Sequence, residues 1–151
     1  MSKPWLTQYP AGVPATVDVS HYTSLNQLLE ESFKLNAHRS FSVCMERWMR
    51  YGQLDEWSRR VGAWLQTQGL EEHARVAIML PNVPSFPVTM AGILRAGYTC
   101  VNVNPLYTAR ELQHQLKDSG ATAIIILENF AHTLEEVIDH TEVNTVVVAS
   151  M

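Results

Sequence analysis

Cysteine is scarce in this chain: two among 151 residues, Cys44 and Cys100, with no C-x-x-C spacing. That excludes a disulfide framework and a cysteine-based zinc site, and both read as small buried side chains in a reducing cytosol. No apolar run approaches the roughly 18 residues a membrane span requires. The opening Met1-Ser2-Lys3-Pro4-Trp5 leads into no apolar signal segment. The expectation is therefore a soluble intracellular protein, or part of one. Basic residues are outnumbered, 11 Lys and Arg against 15 Asp and Glu, and residues 76–151 hold three basic and seven acidic groups. Without a surplus of cations to neutralise phosphates, nucleic acid is not expected as a partner. Nor is there a polybasic run to hold an anionic lipid surface. The glycine motifs of nucleotide sites are missing too. No G-x-G-x-x-G follows a strand-like run, and neither G-x-x-x-x-G-K-[ST] nor G-x-S-x-G occurs. A dinucleotide site, a Walker-type ATPase and a nucleophile-elbow hydrolase are thereby unsupported.

What is present is an ordinary globular balance, 46% hydrophobic and 17% charged, in a chain long enough to bury a core unaided. Residues 1–22 form an irregular arm, since Pro4, Pro10 and Pro14 forbid regular helix there. Its Trp5 and Tyr9 suggest that it lies against the domain. Ser24-Leu25-Asn26-Gln27 has the form of a capping box, and Leu25, Leu28, Leu29 and Phe33 trace one helical face behind it. Phe41–Met45 and Trp48–Tyr51 read as short strands of a hairpin. A second helix is expected over 52–68, with Leu54, Trp57, Val61, Trp64 and Leu65 at helical spacing and Gly69 ending it.

From Arg75 onward, four β-branched apolar runs recur about every twenty residues: Arg75–Leu80, Thr99–Val103, Ala123–Leu127 and Thr145–Ala149. Helical stretches separate them: Phe86–Ala96, Thr108–Asp118 and Ala131–Thr141. The alternation predicts βαβ units and a mostly parallel sheet with helices on both faces, an α/β fold. Continuous apolarity says that both sheet faces are covered. Phe86–Ala96 has only Thr89 and Arg95 as polar members, so it should be buried all round, with Gly97 as its left-handed cap. Thr108-Ala109-Arg110-Glu111 is another capping box. The run at Thr145–Ala149 reaches the end of the chain with nothing after it to flank it. The expectation is a chain that stops inside a larger domain and self-associates through this strand.

Ligands of open parallel sheets bind beyond the carboxyl ends of the strands. Two loops fit that locus, Pro81–Ser85 and Asn104-Pro105-Leu106-Tyr107-Thr108. The plain reading is that Asn82 or Ser85, and Thr108, cap their helices while prolines set the turns. His132, Glu136 and His140 recur every fourth residue and could share a helix face as metal ligands, although a solvated face explains them as well. The Trp57 and Trp64 stripe could line a ligand tunnel, but reads first as a helix face on the core.

Several runs, taken in order, resemble the start of bacterial long-chain fatty acid–CoA ligases of the adenylate-forming superfamily. They are Arg75-Val76-Ala77-Ile78-Met79-Leu80-Pro81-Asn82, Gly92-Ile93-Leu94-Arg95-Ala96-Gly97, Val101-Asn102-Val103-Asn104-Pro105-Leu106-Tyr107-Thr108 and Asn129-Phe130-Ala131-His132-Thr133-Leu134-Glu135. Ala109 stands where that family often has proline, a change of little cost in a helix. The resemblance implies that residues 23–151 are an incomplete N-terminal part of an adenylate-forming domain. The parent would join fatty acid to AMP from ATP, with magnesium on the phosphates, and CoA would then displace AMP. It would be cytoplasmic, with room for peripheral attachment to the inner face of the membrane, and its partner would be the remainder of the same polypeptide. The resemblance carries no catalytic residue, cofactor-binding residue or metal ligand onto these 151 positions, and the chain alone is expected to be inactive and to bind none of those groups. The site-adjacent loop would be Asn104, Pro105, Tyr107 and Thr108. A free-standing, non-catalytic α/β binding module is the alternative. A receiver-like signalling domain lacks its acidic residues, since Leu80-Pro81-Asn82 and Leu127-Glu128-Asn129 stand where they would be needed.

Overall fold

A computed structural model describes residues 3–150. After a 3₁₀ turn at Pro4–Gln8 the arm runs irregularly to α1 (Leu25–Asn36). Trp5 and Tyr9 are exposed, so the arm is not packed on the domain as their aromatic character suggested. Its turn is satisfied locally, with the Thr7 hydroxyl donating to the Pro4 carbonyl at 2.8 Å. The Ser24 hydroxyl caps α1 by accepting from the Gln27 N–H. The box is only half made, because the Gln27 side chain accepts from Thr23 N–H at 2.8 Å, one residue earlier than expected.

Strands β1 (Ser40–Cys44) and β2 (Arg47–Arg50) pair antiparallel. Their connection, Met45-Glu46, has both residues at positive φ, 46° and 64°, the conformation that matches the twist of a two-residue hairpin. Helix α2 (Tyr51–Leu65) follows directly and stops three residues before the expected Gln68.

The four apolar runs form β3 (Arg75–Met79), β4 (Thr99–Asn102), β5 (Ala123–Leu127) and β6 (Thr145–Ala149). They make one wholly parallel sheet in the order β4-β3-β5-β6. α3 (Ser85–Arg95) joins β3 to β4, and α4 (Ala109–Ser119) carries the chain back over β3 to β5. The two crossovers run in opposite directions, so their helices cover opposite faces. Ile93 of α3 and Leu65 of α2 pack on Val76, Ile78, Ile125 and Leu127. Leu112 and Leu116 of α4 pack on Ala77, Met79, Ile124 and Ile126 from the other side. The expected burial on both faces holds for the central strands β3 and β5. It fails at the edges: Val146 and Val148 of β6 are 40% and 55% exposed, because little but the short α5 and its turn lies over that side of the strand.

No residue of α3 is exposed, as its composition required. It is clamped between α1 and α2 by close backbone approach. A Cβ on Gly92 would lie 2.6 Å from Val61 Cγ1 and 3.1 Å from the Ser58 carbonyl oxygen. Arg95, only 10% exposed, ties the three helices. It donates to Glu30 of α1 at 2.7 Å and, in α2, to Asp55 and the Ser58 hydroxyl, each at 2.5 Å, while lying over the Phe33 ring. The stretch expected to be helical over Ala131–Thr141 is broken into α5 (Ala131–Glu135) and a 3₁₀ turn at Ile138–His140. Val137 and Leu134 turn inward to the core at that break.

Candidate functional site

The strand order fixes where a ligand could enter. The connection leaving β3 runs toward β4, while the one leaving β5 runs toward β6. The crevice between the carboxyl ends of β3 and β5 is the switch point of the sheet, the usual ligand locus of open α/β folds. The loop 80–84 and the turn Glu128–Phe130 border it. The loop Asn104–Thr108 leaves the edge strand β4, one position away.

Each predicted residue of that edge loop has a structural task. The Asn104 side chain accepts from the Leu106 N–H at 3.1 Å, and its carbonyl accepts from Tyr107 N–H. Pro105 sits between them in the turn, half-buried. Tyr107 packs against the core on the α4 side of the sheet. Thr108 caps α4: its hydroxyl accepts from Glu111 N–H, and the Glu111 carboxylate accepts from Thr108 N–H at 2.9 Å and from its hydroxyl at 2.8 Å. Those two bonds to the charged form hold the Glu111 carboxyl below its ordinary range. The loop offers Leu106 to solvent, 83% exposed. Beside it an open groove of about 760 Å³ follows α4 past Thr108, Arg110, His114 and Asp118.

The loop after β3 behaves differently. Pro84 occupies the N-cap of α3 and no side chain caps the helix, so neither Asn82 nor Ser85 takes the expected role. The first turn is closed by backbone instead, with Phe86 N–H donating to the Val83 carbonyl at 3.0 Å. The β1–β2 hairpin packs over this loop, a juxtaposition that no spacing in the sequence announced. Cys44, Met45 and Arg47 meet Val83, Pro84, Ser85 and Ser150 around a cavity of about 560 Å³. A smaller one of about 270 Å³ lies between Ser42, Val43 and Phe86. Pro81–Ser85 and Asn104–Thr108 therefore face separate cavities rather than one.

Other candidates do not assemble. With the helix broken after Glu135, His132, Glu136 and His140 no longer share a face, and no three His, Cys, Asp or Glu side chains come together as metal ligands among the described residues. The residues present do not form a magnesium cradle. Trp57 and Trp64 lie partly exposed on α2 and line none of these cavities. Cys44 and Cys100 are free and half-buried, and burial pushes the Cys100 thiol up. No helix is long and apolar enough to cross a membrane.

Against known families, residues 29–151 match the AMP-binding enzyme family. The chain belongs to that family. It is 49% identical, over its whole length, to the long-chain-fatty-acid–CoA ligase of Escherichia coli O6:H1, of which it covers 27%. To the ligase of the same name from Haemophilus influenzae it is 41% identical, again along the whole chain and 27% of the relative. The chain thus spans about a quarter of the length of these relatives. Among solved structures, the Archaeoglobus fulgidus long-chain-fatty-acid–CoA ligase superposes with a TM-score of 0.79 at 21% identity, over 94% of this chain and 30% of the other. An anthranilate CoA ligase in complex with anthranoyl-AMP gives 0.79 over 85% of this chain and 25% of that one. The fold is therefore that of the N-terminal part of adenylate-forming enzymes.

Proposed function

We propose that this chain supplies the first part of the adenylating domain of a long-chain fatty acid–CoA ligase. The assembled enzyme condenses a fatty acid with ATP to acyl-AMP and pyrophosphate, and CoA then displaces AMP to give the thioester. The observation that carries this reading is identity of 41–50% along the entire chain to ligases of that name. The role of these residues is to hold the parallel sheet and its carboxyl-end loops, with the chemistry left to the remainder of the polypeptide. No step through magnesium is assigned to these residues. We place the work in the cytoplasm, at the inner face of the membrane in which the substrate dissolves.

A chimera tests it. This chain is joined in frame to the remainder of the Escherichia coli relative, and ATP–pyrophosphate exchange stimulated by a long-chain fatty acid is measured. Exchange is expected from the chimera and none from the 151 residues alone. A folded chimera without exchange, or exchange by the chain alone, would overturn the reading. The isolated chain is also expected to associate through the open side of β6, with apparent mass by light scattering rising with concentration.

A further inference from the structure

The hairpin presents an outer face that nothing in the molecule covers. In the β1–β2 register Val43 stands opposite Trp48, and these are 53% and 66% exposed. Phe41 lies two residues from Val43 on the same side of the strand, edge-on to Tyr51, and Met45 tops the turn at 75% exposed. An aromatic and β-branched pair left in water on a hairpin is unusual, since a monomer gains by burying such a patch. Around it the fold gathers charge of one sign. Residues 34–50 hold Lys34, Arg39, Arg47 and Arg50 against Glu46 alone, net +3 in a chain of net −4. None of the four cations makes an ion pair among the described residues. The sequence has no basic run, but the hairpin register sets Arg50 opposite Ser40, next to Arg39, and Arg47 opposite Cys44.

We propose that this face of the hairpin docks on an anionic lipid surface. Trp48, Val43 and Met45 would enter the headgroup boundary, with the arginines on the acidic headgroups. The pairing of an exposed tryptophan with unpaired cations is the pattern of interfacial anchors. The charge also argues against a second copy as occupant. A symmetric dimer through this patch would set two faces of net +3 against each other. The proposal deepens the placement at the inner membrane face given above, but rests on the hairpin geometry and not on catalysis.

The experiment measures binding of the chain, and of the chimera, to vesicles of phosphatidylglycerol with phosphatidylethanolamine, and to phosphatidylcholine vesicles, by co-sedimentation. Binding is expected to the anionic vesicles only, and to weaken with salt. Arg47→Glu with Arg50→Glu should weaken it by about 25-fold or more, since each basic residue near such a surface contributes about fivefold. Trp48→Ser should weaken it as well, with the melting temperature unchanged because the side chain is exposed. Should Trp48→Ser unfold, Trp48→Phe read by loss of quenching from brominated lipid takes its place. Val146→Thr with Val148→Thr, on the open side of β6, should leave vesicle binding as it was. Equal binding to both vesicle types overturns the proposal. So does loss of binding on the β6 variant instead of the hairpin variants, or a hairpin variant that changes only the mass of the protein in solution. Exchange activity is read separately, so a chimera that binds vesicles without exchange would refute the functional reading and leave the docking face standing.

Discussion

Helices α3 and α4 leave neighbouring strands of the same sheet, yet they are held in opposite ways. α4 carries its own instructions: a reciprocal cap at Thr108 and Glu111, two buried leucines facing the sheet, and Gly120 at φ 60° closing its end. α3 has no side-chain cap, begins beside a proline and is covered on every side. Its position comes from Gly92 against Val61 and from Arg95 against three partners on two other helices. A helix stabilised locally tolerates errors around it, whereas one stabilised by packing fails when a neighbour is wrong. The first group of variants below should therefore cost more than the second.

The largest effect is expected at Gly92. Gly92→Ala puts a methyl group 2.6 Å from Val61 Cγ1, and Val61 cannot move far between two packed helices. Overpacking of this kind costs about 3 kcal/mol at the upper end of its range, read as a fall in the urea midpoint with unchanged slope. Val61→Ala in the same chain should recover part of it, and no recovery would mean that the strain lies elsewhere. Arg95→Leu comes next. It leaves Asp55 and Glu30 without their shared cation, but both carboxylates are partly solvated, so the cost is about 2 kcal/mol rather than the larger penalty of a fully buried pair.

On α4 the same measurement should give less. Thr108→Ala removes the hydroxyl that accepts from Glu111 N–H and should cost about 1 kcal/mol. In the chimera it should leave fatty-acid-dependent turnover nearly unchanged, because the side chain is engaged in its own helix. A fall in turnover beyond tenfold with stability intact would move the loop from scaffold to site.

This contrast also marks what the sequence could disclose. The four strands, their parallel order of appearance and the start of α4 were legible because β-branched runs, capping boxes and glycine stops act within a few residues. The start of α3 was not, since Asn82 and Ser85 looked like caps while the helix relied on burial that only the folded chain provides. The break at Glu135 was hidden for a related reason: Leu134 and Val137 turn to the core through a 3₁₀ step that 3.6-residue spacing does not describe. The candidate loop Asn104–Thr108 was placed correctly at the carboxyl end of a strand. The switch point beside β3 and the hairpin that walls it depend on strand order, which no local pattern encodes.

Acid is the gentlest way to separate the two helices. Burial works against the charged form of Asp55, yet hydrogen bonds and charge from Arg59 and Arg95 outweigh it and hold the carboxyl below its ordinary value. Glu111 is lowered as well, by the Thr108 N–H and hydroxyl, but sits in full solvent. A carboxyl whose folded pKa lies below its unfolded one contributes stability that is fully present above the unfolded value. That contribution fades as the pH falls through the folded value. The urea midpoint should accordingly drop as the pH falls below about 4, the ordinary range of these carboxyls. Asp55→Asn should flatten that drop more than Glu111→Gln does, because Asp55 faces two guanidiniums between packed helices whereas Glu111 meets one exposed threonine. If Glu111→Gln flattened it more, the local cap of α4 would outweigh the packed anchor of α3, and the ranking of the two helices would reverse.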